Sequence, residues 1–307
     1  MIPIRATVPT ATEARALLTG IVRSAEIDAE TVATAPADDA PDETLLGHVS
    51  TPFSSVADVA ERLGRTEAYL RERGDPRAVF LTVYSRMTAA VGTAIDDGAF
   101  LNPTWAASYL VAFADRYRRA FAAFERRAFE SVPRPWLIAF AAAARGRTLV
   151  AQDALLGINA HIAYDLTYTL GDIGIDPDRD RKRADHQRIN AILARLVQTM
   201  QDVLVETYDA VGIAGIDRLL DPFDDRVALV GLRGSREFAW RNAVLRADGA
   251  GGLVGRYVDW RTETVSTGAA ALILAPDIDA ATSERLRTAE SGVDAARAFH
   301  EAIRRRL

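Results

Sequence analysis

Apolar residues recur at helical spacing along most of the chain. Phe80, Val83, Tyr84, Met87 and Val91 follow the i, i+3, i+4 rhythm of one helix face. Trp105, Tyr109, Phe113, Tyr117 and Phe124 repeat it in the next segment. Start signals stand at the right places. Ser54 or Ser55 caps a helix running to Arg73, Asp75-Pro76 opens a second, and Asn102-Pro103 opens a third. Pro133 and Pro135 break the chain before a short helix, Trp136 to Ala144. Two long helices follow, about 147–171 and 179–210, joined by Gly174-Ile175-Asp176-Pro177-Asp178. After the turn Asp221-Pro222-Phe223-Asp224-Asp225, the pattern predicts helices over 226–247, Leu253–Leu274 and Val293–Leu307. The glycine-rich stretch at Gly249 to Gly252 separates the first two of these.

Alternation with a period of two is nearly absent, and there is no internal repeat. The fold class expected is all-α, a multi-helix bundle around a buried central helix that carries polar residues. Residues 1–50 read as an N-terminal helix, Thr10 to about Arg23, and a linker. The acidic, proline-containing stretch Ala33 to Asp42 has no periodicity. Residues 51–307 are expected to form a single helical domain.

The chain has 307 residues, a net charge of −5 and no cysteine. Disulfides, thiolate metal sites and cysteine nucleophiles are therefore excluded. The acidic balance argues against nucleic acid as a partner. Lys182 is the only lysine, and the arginines are scattered rather than patched. Met1 to Ala6 lacks the pattern of a signal peptide, and no uninterrupted apolar run reaches the length of a membrane span. A cytoplasmic location is the default expectation. No GxSxG elbow, P-loop or GxGxxG fingerprint is present. Asp221, Asp224 and Asp225 lack the spacing of an aspartate-rich diphosphate motif.

The chemistry-bearing candidate lies in the apolar run from Leu149 to Leu166. Asn159, His161 and Asp165 interrupt it, and His161 and Asp165, four apart, share one helix face. Asp153 and Asp172 fall near the same stripe. Gly157, one turn before His161, costs on the order of 1 kcal/mol inside a helix, so it predicts the close approach of a neighbouring helix or a ligand. A buried carboxylate needs a cation, a donor or a proton. His161 supplies one answer. A divalent metal held by both residues is another, since imidazole and carboxylate suit zinc, iron or manganese. A satisfied polar network tying helices together is a third. The following helix, antiparallel to this one, is expected to bring Asp185, His186 and Asn190 toward Asp165. The alternative is that Asp185 and His186 are first-turn residues facing water.

The block Leu155-Leu156-Gly157-Ile158-Asn159-Ala160-His161-Ile162 with Asp165-Leu166 resembles a family of mostly actinobacterial proteins, domain-of-unknown-function family 5995. Phe80 to Tyr84 with Thr88, Phe113-Ala114 with Tyr117, Pro133 with Trp136 and Phe140, and Asp185 with Asn190 are similar to the same family, over about residues 75–245. The resemblance implies that Asn159, His161, Asp165, Asp185 and Asn190 matter as a group. The family pattern often has Asn where this chain has Ala163, and no fixed His at position 186. Gly157, His161 and Asp165 are also similar to the GxxxHxxxD helix of zinc-dependent phospholipase C. That likeness implies at most a one- or two-metal site, because this chain has only four histidines.

Three readings stay open. In a metal-dependent hydrolase, His161, Asp165 and Asp185 hold the metal, while Asn159 or Asn190 orients substrate or water. In a metal-free module, the same residues anchor a small apolar ligand. In a structural protein, they only fix helix register.

Overall fold

The computed structural model describes residues 9–33, 41–146, 148–210, 232–249, 252–274, 280–292 and 294–306, and none of these forms a strand. The helices are α1 (Ala11–Ala33), α2 (Glu43–Val49), α3 (Val56–Glu72), α4 (Ala78–Asp96), α5 (Pro103–Glu125), α6 (Arg134–Ala144), α7 (Val150–Ile158), α8 (Leu166–Ile173), α9 (Arg179–Ala210), α10 (Leu232–Asp248), α11 (Gly252–Leu274), α12 (Ala280–Gly292) and α13 (Ala295–Arg306). A π-helical segment, Asn159–Asp165, joins α7 to α8. The architecture is the expected all-α bundle. The acidic linker at residues 34–40 and the aspartate-containing turn at 221–225 lie outside the described residues.

Local chemistry explains the helix starts. The Ser55 side chain accepts from the Asp58 amide, and Asn102 accepts from Trp105 with Pro103 in the first turn. Asp75 does not cap α4 directly. Its carboxylate accepts from the Arg77 amide and grips the Arg77 guanidinium, so the helix begins two residues later than the Asp-Pro signal suggests. Asp42 caps the short α2, which the sequence pattern does not reveal, and α12 is likewise an addition. Lys182, the single lysine, is buried and donates to the carbonyls of Gly174 and Asp176, where it ties the α8–α9 connection to the second turn of α9.

Two packings define the middle of the bundle. α1 lies against α11 with the backbones nearly touching. A Cβ on Gly268 would stand 1.8 Å from the Ala16 carbonyl oxygen, and one on Gly20 would stand 2.1 Å from that of Thr264. Glu13 of α1 is buried and pairs with Arg241 and Arg261, joining α1 to α10 and α11. α4 packs against α3, α5, α7, α9 and α13. Among the described helices it alone is long and apolar enough to cross a membrane, and most of it is buried in the core.

Candidate functional site

The π segment crosses the centre of the bundle with nearly all its side chains buried. Bonding from i to i+5 widens a helix locally, and such bulges are frequent at functional sites. Within it Asn159, His161 and Asp165 face two different environments.

The Asn159 amide donates to the Ser266 carbonyl of α11 at 2.8 Å. Its Oδ1 is buried without a partner. Asn159 lines a cavity of about 250 Å³ bounded by α1, α10 and α11.

His161 and Asp165 face the other way, into rings. His161 Nδ1 lies 2.9 Å from Asp165 Oδ2, so the i, i+4 pairing read from the sequence is made. The Trp136 indole donates to the same oxygen at 2.7 Å. Phe113 stacks on the imidazole at 3.6 Å between centroids, and Tyr84 meets it edge-on at 4.5 Å. Phe80, Trp136 and Tyr117 close the cage at 6.0, 5.8 and 6.4 Å. Gly157 makes this packing possible, since a Cβ there would stand 2.4 Å from the Phe80 ring. The close approach predicted from that glycine is a neighbouring helix.

Burial depresses the His161 pKa more than Asp165 raises it, so the ring is neutral at neutral pH. A neutral ring whose Nδ1 faces a carboxylate carries its proton there, which leaves Nε2 as a bare acceptor. That Nε2 is buried and has no partner. His161 lines a cavity of about 60 Å³, shared with Phe80, Tyr84, Met87, Phe113 and Arg236.

The next cluster is built on α9 and α10. His186 Nδ1 meets the Tyr109 hydroxyl at 3.0 Å and Arg236 Nη2 at 3.2 Å, and Arg236 Nη2 also donates to the His186 carbonyl at 2.9 Å. Arg236 Nε donates to Asn190 Oδ1. Asn190 thus orients a guanidinium. Burial, and then the charge of Arg236, hold the His186 pKa well below its usual value. Burial likewise lowers the Arg236 pKa. His186 and Asp185 are both buried rather than facing water.

Asp185 has a different task. Its carboxylate accepts from the amides of Leu101 and Asn102 at 2.7 Å each and from Arg188 at 3.0 Å. It locks the α4–α5 connection. Asp153 is buried beside Thr148, and burial pushes its pKa up to about 8, whereas Asp172 is exposed and pairs with Arg116. Among the described residues, no three His, Cys, Asp or Glu side chains stand where they would hold one metal ion. The residues do not fit a shared ion in another respect. Asp165 Oδ2 is taken by two ring N–H donors, and Asp185 by two backbone amides and an arginine.

Many residues that carry the family likeness therefore converge in space. Phe80, Tyr84, Phe113, Tyr117 and Trp136 surround His161, and Asn190 sets the arginine on the wall of the same cavity. The family described as one of unknown function, DUF5995, matches residues 56–276. The chain belongs to this family. The match spans α3 to α11 and so takes in the whole His161 cage and its cavity. No curated protein sequence and no solved structure matches the chain.

Arg236 and Tyr109 are functional candidates that sequence reasoning missed. A signal existed: Arg236, Ala239, Trp240 and Ala243 recur at helical spacing and are all buried, so Arg236 sits on the apolar stripe of α10.

Proposed function

We propose that this member of DUF5995 binds a small, largely apolar molecule in the cavity beside His161, with Nε2 accepting a hydrogen bond from it. The observation that carries the reading is the imidazole itself. Its Nδ1 is committed to Asp165, its Nε2 is buried without a partner, and the residue lines a cavity walled mostly by aromatic and aliphatic groups. A buried acceptor left without a donor costs about 1–3 kcal/mol, which a ligand hydroxyl or N–H would return. The volume of about 60 Å³ is below that of a benzene-sized cavity, so a small alcohol is the better fit and a ring enters only where the walls give. Asp165 and Trp136 keep the ring in one tautomer and orientation, which is the role second partners play at a binding or proton-transfer site. Hydrolysis at a metal is less well supported, because both Asp185 oxygens and Asp165 Oδ2 already accept from protein donors.

Thermal unfolding with phenol, with isopropanol and with toluene tests this. Toluene has the shape of phenol without the donor. Phenol or isopropanol should raise Tm, and phenol should do so more than toluene at the same free concentration. The His161→Phe variant keeps a ring and should erase the phenol–toluene difference. Saturating phenol and isopropanol with no change in Tm would overturn the reading.

A further inference from the structure

Arg236 is a buried cation that no carboxylate among the described residues neutralises. Other buried guanidiniums in the fold hold an acid: Arg77 has Asp75 and Glu125, Arg118 has Asp115, and Arg261 has Glu13. Arg236 is 1% exposed, and the groups that meet it are neutral: Asn190 Oδ1, the His186 carbonyl, His186 Nδ1 and Tyr109. No carboxylate of the described residues pairs with it. Arginine does not shed its proton, so burying it without a counter-charge costs several kcal/mol. Evolution removes such a cost by substitution unless the charge has a use. The side chain also lines the cavity of His161. A missing anion and an apolar space meet at one residue.

We infer that the occupant of this cavity is a small hydroxy-carboxylate, its carboxylate paired with Arg236 and its hydroxyl donating to His161 Nε2. The inference rests on the cavity's being a binding site. With Nε and Nη2 held by Asn190 and His186, Nη1 is left to face a carboxylate, and a charge-assisted bond made in an apolar surrounding is among the stronger single contacts available. Asn190 and His186 fix the guanidinium from behind, through Nε and Nη2. The body of the ligand lies against Met87, Leu110 and Phe113, which line the space. Inorganic phosphate or sulfate fits this wall poorly, since most of its oxygens would face hydrocarbon.

Calorimetric titration with glycolate and with lactate, each against its own amide, isolates the charge while keeping shape and hydroxyl. At least one of the two acids should bind about tenfold or more tighter than its amide. Arg236→Met should bring the acid down to the level of the amide and leave the amide unchanged. Arg236→Lys keeps the charge, loses the fork and should weaken the acid only partly; it serves if the methionine variant does not fold. Equal binding of acid and amide to the native chain would overturn the inference while leaving the pocket standing. So would a preference for the acid that survives in Arg236→Met. Acids and amides that all fail to bind, while phenol or isopropanol binds, sink the inference alone. If the neutral alcohols fail as well, the pocket reading falls and takes this one with it.

Discussion

Asp165 and Asp185 are carboxylates of nearly equal burial, at 2% and 0% exposure, on consecutive parts of the chain. Asp185 accepts two backbone amides and an arginine, all from the protein. Asp165 accepts from two aromatic rings, and one of those rings, His161, carries a second nitrogen with no partner and lines an apolar space. The first arrangement is closed and spends its polarity on fixing a loop. The second is open and passes its polarity on to a position where a ligand fits. Burial and charge alone do not separate a structural acid from a functional one; the separation lies in whether the hydrogen-bond chain ends inside the protein.

That contrast breaks most visibly by removing Asp185. Asp185→Ala leaves the Leu101 and Asn102 amides without their acceptor and should cost about 3 kcal/mol or more of unfolding free energy in urea. Phenol binding to the folded fraction should be unchanged. Asp165→Asn should cost less, about 2 kcal/mol, yet abolish the advantage of phenol over toluene, because the amide no longer holds His161 in the Nδ1–H tautomer. Reversal of these two patterns would mean the roles are assigned the wrong way round.

Gly157→Ala probes the cage from outside. The added methyl meets the Phe80 ring at 2.4 Å, and pushing that ring inward should cost about 1–3 kcal/mol and shrink the cavity, weakening any ligand. An alanine variant with unchanged affinity would show that Phe80 does not shape the site.

Protonation supplies effects that follow pH rather than a single contact. Burial lowers the pKa of His161 and His186, and that of His300 to about 4, so the unfolded chain takes up protons that the folded one refuses. Stability from these groups is present above the ordinary histidine value of 6.5 and is lost as pH falls from there toward about 4. Asp153 runs the other way. Its folded pKa, raised to about 8 from 3.8, makes its contribution full below 3.8 and lost as pH rises through about 8. Urea unfolding of Asp153→Asn across this range should therefore show stability rising with pH more steeply than in the native chain. An identical pH profile would place Asp153 outside the titrating set.

Much of the fold was legible because helix starts are written in single residues. Ser55 and Asn102 cap where the sequence says they do, and the apolar stripes of α4 and α5 face the core. The His161–Asp165 contact was legible because four residues make one turn of helix. The π segment was not, since i to i+5 bonding leaves no residue type behind to mark it. That Asp185 would spend its carboxylate on the amides just before α5 was not legible either, since those amides lie more than eighty residues away in sequence. Arg236 escaped notice because an arginine on a helix is ordinarily solvated, and its burial depends on Tyr109 and Asn190, which lie far away in sequence.

The central claim concerns one nitrogen, and nitrogen-15 NMR of the His161 ring reads it directly. The account predicts a neutral imidazole at neutral pH with its proton on Nδ1, and an Nε2 resonance that moves when phenol is added and stays still with toluene. A charged ring at neutral pH, a proton on Nε2, or an Nε2 resonance indifferent to phenol at saturation would contradict it.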